Sequence, residues 1–402
     1  MNVLCKKDMP WKPIKQTYWP GSKKPCLSEG GDLRCHLHGK GEWKVRGRIG
    51  RIPPEEVPRR REEDSGGGEE MSELDPYKEL AASIGAGESE IIAKIFELLA
   101  TEDEAKLLLA ASPPATVEQL AQKSGFAREK VLELTGSLFQ KGLLFYSEKA
   151  GVRRYYRVRH VPQLHDATAV AEDAPRELLD LWRLYTDTEW PNYAKKVEAF
   201  LPQAPIRVIP VNVSFQGGSR ILAFDDVRSV VHGARNLAVT RCTCRAIARR
   251  CDKPLEVCIQ VNRAAEYAVE RGTGRPISKE EALEILRRCE EEGLVHVVDN
   301  RKEVDHVICN CCKCCCMNWP PLKAGVKRFI LPSRFVARVD QPLCSGCGTC
   351  AERCFFDAIK LTDEEVAKVD PEKCMGCGVC MVKCPTEAIS LEEARSEEFI
   401  PQ

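Results

Sequence analysis

The sequence lacks an excess of charge of either sign, because its 402 residues include 60 Lys and Arg and 60 Asp and Glu. A nucleic-acid-binding protein that works by bulk basicity would not be balanced in this way. It also lacks any apolar run of about 18 residues, which a membrane-spanning helix requires. The first 60 residues are interrupted throughout by Lys, Arg, Pro and Trp, so no secretory signal is recognisable there. We therefore expect a cytoplasmic protein that is not inserted into a membrane.

A Gly-rich loop of the kind that binds dinucleotides or phosphates is missing as well, so flavin, nicotinamide or ATP chemistry would have to come from a partner. Cysteine is absent between Cys35 and Cys242, although the chain has 22 cysteines in total. Most of them lie between Cys242 and Cys384. A chain of this length has enough core to fold without disulfides, so clustered thiols in a cytoplasmic protein indicate metal binding.

Residues 1–70 show neither helical nor strand periodicity and are rich in Trp, Pro, Gly and basic residues, which predicts a disordered extension. Four potential zinc ligands occur there: Cys26, Cys35, His36 and His38. The segment 65–70 can be encoded by a purine-rich stretch typical of a bacterial ribosome-binding site. A second hypothesis is therefore that Met71 is the true start of the protein.

Residues 71–160 combine an apolar helical pattern from Ser89, a short helix after Thr116, a turn at Gly125 and a helix from Arg128 to Lys141. Two strands around Ala150-Gly151 follow. This order, over residues 85–160, resembles the winged helix-turn-helix of MarR-like and ArsR-like regulators. The resemblance depends on the pattern and on no signature motif.

The resemblance leaves the role of this region open. Residues 117–159 contain nine basic residues and four glutamates, so the hairpin could contact phosphates. However, Glu129 and Glu133 occupy early positions of the second helix, where they would face the DNA backbone. Winged helices also serve as protein-docking modules. Nucleic-acid binding is thus possible but not the favoured interpretation.

The central region, residues 161–335, contains ten cysteines in two runs, which we predict to be metal ligands: Cys242, Cys244, Cys251, Cys258, Cys309, Cys311, Cys312, Cys314, Cys315 and Cys316. Two cubane clusters need eight thiolates, so one or two further iron–sulfur clusters are expected here. Adjacent cysteines point in different directions and should ligate different irons or clusters. Cys289 stands alone in a helical pattern and is interpreted as a buried apolar residue.

Three alternatives remain for these thiols. They are a metallothionein-like zinc cluster, a redox-active dithiol, and one cluster together with a substrate-reactive thiol. The combined pattern of residues 200–390 resembles a group of multi-cluster iron–sulfur proteins from strict anaerobes. That resemblance implies an electron carrier of anaerobic metabolism.

Residues 336–392 contain two copies of the spacing C-x2-C-x2-C-x3-C, which start at Cys344 and Cys374. They resemble bacterial ferredoxins that carry two 4Fe-4S clusters. Three thiolates on one tight loop reach three irons of a cube, and in these ferredoxins the fourth cysteine of each run ligates the other cluster. The alternative that these cysteines form two zinc sites is disfavoured, because zinc sites use cysteine pairs separated by longer loops.

The resemblance implies two crossed ligand sets. The first set is Cys344, Cys347, Cys350 and Cys384, and the second set is Cys374, Cys377, Cys380 and Cys354. Four glycines are expected to let backbone N–H groups approach the cluster sulfides: Gly346, Gly348, Gly376 and Gly378. Phe355 stands where proline usually follows the first run, which affects the expected packing and solvent access but not the ligation.

The predicted fold class is therefore α+β and multidomain, with a winged helix, an irregular α/β cysteine-rich central domain and a dicluster ferredoxin fold. Residues 393–402 are expected to be an acidic tail. The predicted function is single-electron transfer to or from a redox protein or an oxidoreductase subunit. The alternatives are a redox-responsive DNA-binding regulator and a reductase that uses Cys309–Cys316. The number of expected clusters favours electron transfer over regulation, because a redox sensor needs one labile cluster and an electron relay needs several.

Overall fold

The computed structural model describes residues 75–211 and 222–402, together with the backbone of a short hairpin formed by β1 (Trp43–Val45) and β2 (Arg48–Gly50). The predictions for Cys26, Cys35, His36, His38 and Met71 lie outside the described residues. Within the described part of the chain, no helix is long and apolar enough to cross a membrane.

The first region is mainly helical. Its elements are α1 (Pro76–Ser83), α2 (Glu90–Leu99), α3 (Glu102–Ala110), α4 (Val117–Ser124), α5 (Arg128–Gln140), β3 (Leu144–Lys149), β4 (Val152–Arg157), α6 (Val161–Thr168), α7 (Arg176–Thr188) and α8 (Trp190–Glu198). Thr116 and Gln119 form a capping box that begins α4, and Gly125 ends it with a φ of 75°. The predicted helices after Thr116 and from Arg128 are confirmed.

The two strands expected around Ala150-Gly151 form the hairpin β3–β4, whose antiparallel pairing continues to Lys149 and Val152 on either side of that turn. It does not project freely from the protein. The hydroxyl of Tyr146 donates a hydrogen bond of 2.6 Å to Glu270 in the central region. Buried residues of the helical region also form one apolar core with Ile247 and Met317. The helical and central regions are therefore packed against each other.

The central region is built on a seven-stranded sheet with the order β11-β5-β9-β10-β7-β6-β8. Its strands are β5 (Ile206–Val208), β6 (Leu237–Arg241), β7 (Glu256–Val261), β8 (Gly274–Pro276), β9 (Val295–Asp299), β10 (Val307–Cys311) and β11 (Ile330–Leu331). Only the pair β11–β5 is parallel. This region is thus more regular than the irregular α/β domain that the sequence suggested.

Five helices accompany this sheet. They are α9 (Val227–Gly233), α10 (Thr243–Ala248), α11 (Arg263–Glu270), α12 (Lys279–Glu291) and α13 (Trp319–Lys323). Side chains alternate along β9, as they must in a strand. Val298 packs in the core that contains α12, whereas Val295 and Val297 pack in a separate core with Phe355 and Phe356. The face of β9 opposite the α12 core therefore packs against the C-terminal region.

The C-terminal region consists of two antiparallel strand pairs and a short helix. The strands β12 (Phe335–Val339) and β15 (Ile389–Glu393) form one pair, β13 (Ile359–Leu361) and β14 (Ala367–Val369) form the other, and the helix is α14 (Thr349–Arg353). The molecule as a whole is mixed α/β.

Two arginines fix the C-terminal region to the central one. Arg334 is 1 % exposed and forms an ion pair of 2.8 Å with the buried Asp225. Arg353 donates hydrogen bonds to the carbonyls of Glu290 and Glu291 at the end of α12. Residues 393–402, the expected acidic tail, also pack against the protein. Ile400 is 1 % exposed, and the carbonyl of Pro401 accepts a hydrogen bond from the backbone N–H of Lys302 in the central region.

Candidate metal centres

The first set of C-terminal cysteines surrounds a cavity. Cys344 and Cys347 come from the loop between β12 and α14, Cys350 comes from α14 itself, and Cys384 comes from the second run. All four line a cavity with about 320 Å³ of empty space, part of which is open to solvent. Cys347 is exposed, so this set lies at the molecular surface.

The second set lies deeper in the protein. Cys374 and Cys380 are buried, and Cys377 is partly buried. Burial, with smaller contributions from the thiols of Cys354 and Cys374, raises the pKa of Cys377 to about 12. Cys354 packs in apolar cores that contain Cys374 and Cys377, although it follows the first loop in the chain.

Backbone N–H groups point at several of these thiols. Ala337 donates to Sγ of Cys374 at 3.3 Å, and Ala358 donates to Sγ of Cys354 at 3.2 Å. Ala367 donates to Sγ of Cys344 at 3.5 Å. These donors stabilise thiolates, which are the form that binds iron. Thiols with N–H donors around a cavity are what an iron–sulfur cluster requires.

The glycines of these loops are needed for close backbone approach. Gly346 has a φ of 69°, and a Cβ atom there would lie 2.3 Å from the carbonyl oxygen of Glu365. Gly376 has a φ of 63°, and its Cβ would lie 2.2 Å from the carbonyl oxygen of Phe335. Both conformations favour glycine. Gly348 and Gly378 also have positive φ values, but a Cβ atom at Gly348 would meet only Leu361, at 3.6 Å.

Spacing, thiol placement and N–H donors agree with a comparison against protein families. Residues 337–391 match the family model of the 4Fe-4S dicluster domain. We refer to them as the dicluster domain. No curated protein and no solved structure gives a significant match to this chain. The dicluster domain implies 4Fe-4S clusters and supports iron–sulfur electron transfer.

The ten central thiols divide into two groups. The four-thiol group consists of Cys251, Cys312, Cys314 and Cys315, whose sulfur atoms all lie within 4.8 Å of one another. Sγ of Cys251 lies 3.9 Å from that of Cys312 and 3.8 Å from that of Cys315. Cys314 and Cys315 are 3.7 Å apart. This group could hold a metal ion.

The six-thiol group is a chain of thiol pairs, and the members of each pair are close enough to influence each other's pKa. The pairs are Cys242–Cys258, Cys258–Cys309, Cys309–Cys311, Cys311–Cys316 and Cys316–Cys244. Hydrogen bonds from Cys258 and Cys311 lower the pKa of Cys309 to about 6. Those from Cys244 and Cys311 lower the pKa of Cys316 well below its usual value. The group therefore favours thiolates at these two positions.

Strand geometry explains part of this division. Cys309 and Cys311 are two residues apart on β10 and pair with Val297 and Val295 of β9, so both belong to the sheet face nearer the dicluster domain. Cys312 follows β10 directly and belongs to the four-thiol group. Adjacent cysteines thus enter different groups at 311/312 and at 315/316, as the sequence predicted, but Cys314 and Cys315 share one group.

Arg245 is a further residue of this site that sequence analysis did not identify. It is 1 % exposed and donates hydrogen bonds to the carbonyls of Pro254, at 2.5 Å, and Asn310, at 3.0 Å. The pKa of Cys312 is lowered to about 4, mainly by the hydrogen bond from Cys315. The charge of the Arg245 guanidinium makes a smaller contribution in the same direction. In the other group, the interaction with Cys258 and burial raise the pKa of Cys242 well above its usual value, and the charge of Arg245 opposes this rise. One buried cation therefore serves both thiol groups.

Cys289 belongs to neither group. It is fully buried in the apolar core beneath α12, and burial raises its pKa to about 12. This environment agrees with its interpretation as a core residue.

Phe355 connects the dicluster domain to the central region. Its ring packs edge-on against Trp319 at 5.1 Å and lies 4.7 Å from that of Phe356. These three aromatic residues, with Cys311 and Cys316 of the six-thiol group, line a cavity of about 260 Å³. The phenylalanine that replaces the usual proline therefore packs toward the central thiols.

Proposed function

We propose that this protein is an iron–sulfur electron-transfer protein or subunit that relays single electrons in anaerobic redox metabolism. In this proposal, the crossed sets of the dicluster domain hold two 4Fe-4S clusters: Cys344, Cys347, Cys350 and Cys384 for the first, and Cys374, Cys377, Cys380 and Cys354 for the second. The six-thiol group holds a further iron–sulfur cluster. The bound clusters supply one-electron exchange.

The main support is one shared apolar core. Cys354 and Cys377 of the second set pack in the same core as Cys309, Cys311 and Cys316 of the six-thiol group. Trp319, Phe355 and Phe356 belong to that core as well. Two redox-competent thiol sets are therefore joined by packed side chains.

The exposure of the thiols gives the relay a direction. Cys347 in the first set is exposed, whereas Cys380 in the second set and Cys258, Cys311 and Cys316 in the six-thiol group are buried. An external redox partner can approach the first set most closely. The expected order is the first set, then the second set, then the six-thiol group.

Iron content and reduction kinetics test this order. The anaerobically reconstituted full chain should hold about twelve irons if two dicluster cubanes and one central cubane form. After rapid mixing with dithionite and freeze-quenching, EPR should show the dicluster signals before the central one. Replacement of Cys384 by Ser removes a ligand of the exposed set and should slow central reduction severalfold.

The matched controls are Cys316→Ser and Cys289→Ser. The first should reduce the iron content to about eight and leave the dicluster signals in place, because it removes only a six-thiol ligand. The second should leave the iron content unchanged. A wild-type iron content of eight, or central reduction at an unchanged rate in Cys384→Ser, would contradict the relay.

A second proposal concerns residues 85–160. The order α3, α4, α5 and the hairpin β3–β4 supports a winged helix. The arginines of its hairpin bind other residues of this protein, which makes them less suited to binding DNA. Arg153 pairs with Glu148 at 3.4 Å, and Arg154 donates to Gln119 at 3.1 Å. Arg157 donates to Ser83 at 3.1 Å. These arginines already have partners within the protein.

We expect only weak DNA binding, with dissociation constants on the order of 10⁻⁴–10⁻⁶ M and no preferred sequence. Fluorescence anisotropy at several salt concentrations would measure it, with Arg154→Ala and Arg159→Ala as variants that reduce the salt dependence. Deletion of residues 71–160 is unsuitable as a test, because it would expose the core shared with Ile247 and Met317. A nanomolar, sequence-specific footprint that changes on cluster oxidation would instead favour the regulator.

A further inference from the structure

We propose that Cys251, Cys312, Cys314 and Cys315 bind a single zinc ion and not an iron–sulfur cluster. The proposal is independent of the electron relay, because that function uses the dicluster domain and the six-thiol group. It divides the ten central thiols between one structural ion and one redox site.

The sulfur positions fit a single tetrahedral ion. Zinc–sulfur bonds of about 2.3 Å place the sulfurs of a tetrahedral four-cysteine site about 3.8 Å apart. Three of the six sulfur–sulfur separations in this group are 3.7, 3.8 and 3.9 Å, and all four sulfurs lie within 4.8 Å of one another. A closed set of four thiolates is typical of structural zinc.

The dicluster domain provides an internal comparison. Its cysteines do not converge: among the described residues, the four-thiol group is the only set of three or more ligand residues whose atoms lie within 4.8 Å of one another. The first dicluster set instead surrounds about 320 Å³ of empty space. A cubane contains four irons and four sulfides and must hold its thiolates apart. The four-thiol group is therefore compact enough for a single ion, whereas the first dicluster set leaves room for a cubane.

The surroundings of the four-thiol group also fit a zinc tetrathiolate. Zinc with four thiolates has a net charge of −2, which nearby cations and N–H donors stabilise. The positive charge of the buried Arg245 guanidinium favours the thiolate of Cys312, and the backbone N–H of Arg250 favours that of Cys315. The guanidinium of Arg250 also lies 3.5 Å from the carbonyl oxygen of Cys314.

The two metal types call for different roles. Zinc has no redox chemistry, so the four-thiol group would not carry electrons. It would instead join the segment after α10, which carries Cys251, to the loop after β10, which carries Cys312, Cys314 and Cys315. That loop also carries Cys316 of the six-thiol group, so the ion would fix the position of a redox ligand.

Metal analysis of the full chain, purified anaerobically from cells supplied with both iron and zinc, tests the proposal. We expect one zinc per chain beside the iron. X-ray absorption at the zinc edge should show four sulfur neighbours at about 2.3 Å and no iron neighbour. Nitrogen or oxygen ligands, absence of zinc, or a mononuclear iron in its place would overturn it.

Cys314→Ser provides the second measurement, because Cys314 is the most accessible of the four thiols. The variant should lose zinc and keep its iron content and EPR spectrum. Cys316→Ser is the matched control and should lose iron and keep zinc. Loss of about four irons from Cys314→Ser, with no zinc in the wild type, would show a cubane at this position. If Cys314→Ser does not fold, the wild-type absorption measurement decides alone.

Discussion

Replacement of Cys354 by Ser is expected to destroy the cluster held by Cys374, Cys377 and Cys380, although Cys354 directly follows the first cysteine run. The reason is its position in apolar cores shared with Cys374, Cys377 and Cys380. The iron content should fall by about four per chain. EPR of the reduced protein should lose the signal of the buried cluster and the splitting caused by two interacting clusters.

Cys384→Ser is the mirror-image variant. Cys384 lies in the second run but lines the cavity of the first set, so this variant should lose the exposed cluster instead. A double-cluster protein in which each variant damages the cluster of its own loop would disprove the crossed arrangement. Equal loss of both clusters in both variants would show that neither cluster assembles without the other.

Substitution of Gly346 by Ala is expected to have the next largest effect. The added Cβ would lie 2.3 Å from the carbonyl oxygen of Glu365, which belongs to the backbone and cannot move aside as a flexible side chain could. A φ of 69° is also unfavourable for alanine, by about 1–2 kcal/mol. The loop carrying Cys344, Cys347 and Cys350 must therefore move, and the exposed cluster should be lost.

Gly348→Ala separates backbone strain from steric crowding. Its φ of 76° is nearly the same, but the nearest atom to an added Cβ is a methyl carbon of Leu361 at 3.6 Å. This variant should retain both clusters and lose only about 1–2 kcal/mol of stability. Iron analysis and the thermal transition of both variants measure the difference. If both lose the cluster equally, the φ value alone is decisive.

The dicluster domain could be predicted in detail because its ligands are local. Three cysteines of each set occupy seven consecutive residues, so their spacing nearly determines which metal they hold. The fourth ligand of each set came from a resemblance and not from spacing. The crowding at Gly346 could not be predicted, because Glu365 approaches it from a different hairpin.

The division of the central thiols into two groups could not be predicted from the sequence. Their division depends on the register of β9 with β10 and of β6 with β7, where Cys309 pairs with Val297 and Cys258 with Thr240. The strand order of the sheet is not the chain order, so no local pattern reveals these pairs. Arg245 was missed for the same reason, since its partners Pro254 and Asn310 lie on other segments.

The four-thiol group joins positions that are far apart in the chain. An ion held by Cys251 and Cys312 closes a loop of about 60 residues, and by analogy with a disulfide such a link removes about 4 kcal/mol of unfolded-chain entropy at room temperature. The loop contains β7, α11, β8, α12, β9 and β10, and hence most of the central sheet. The supply of zinc during synthesis would therefore influence how much of the protein folds and can then bind iron, even though zinc itself never changes oxidation state.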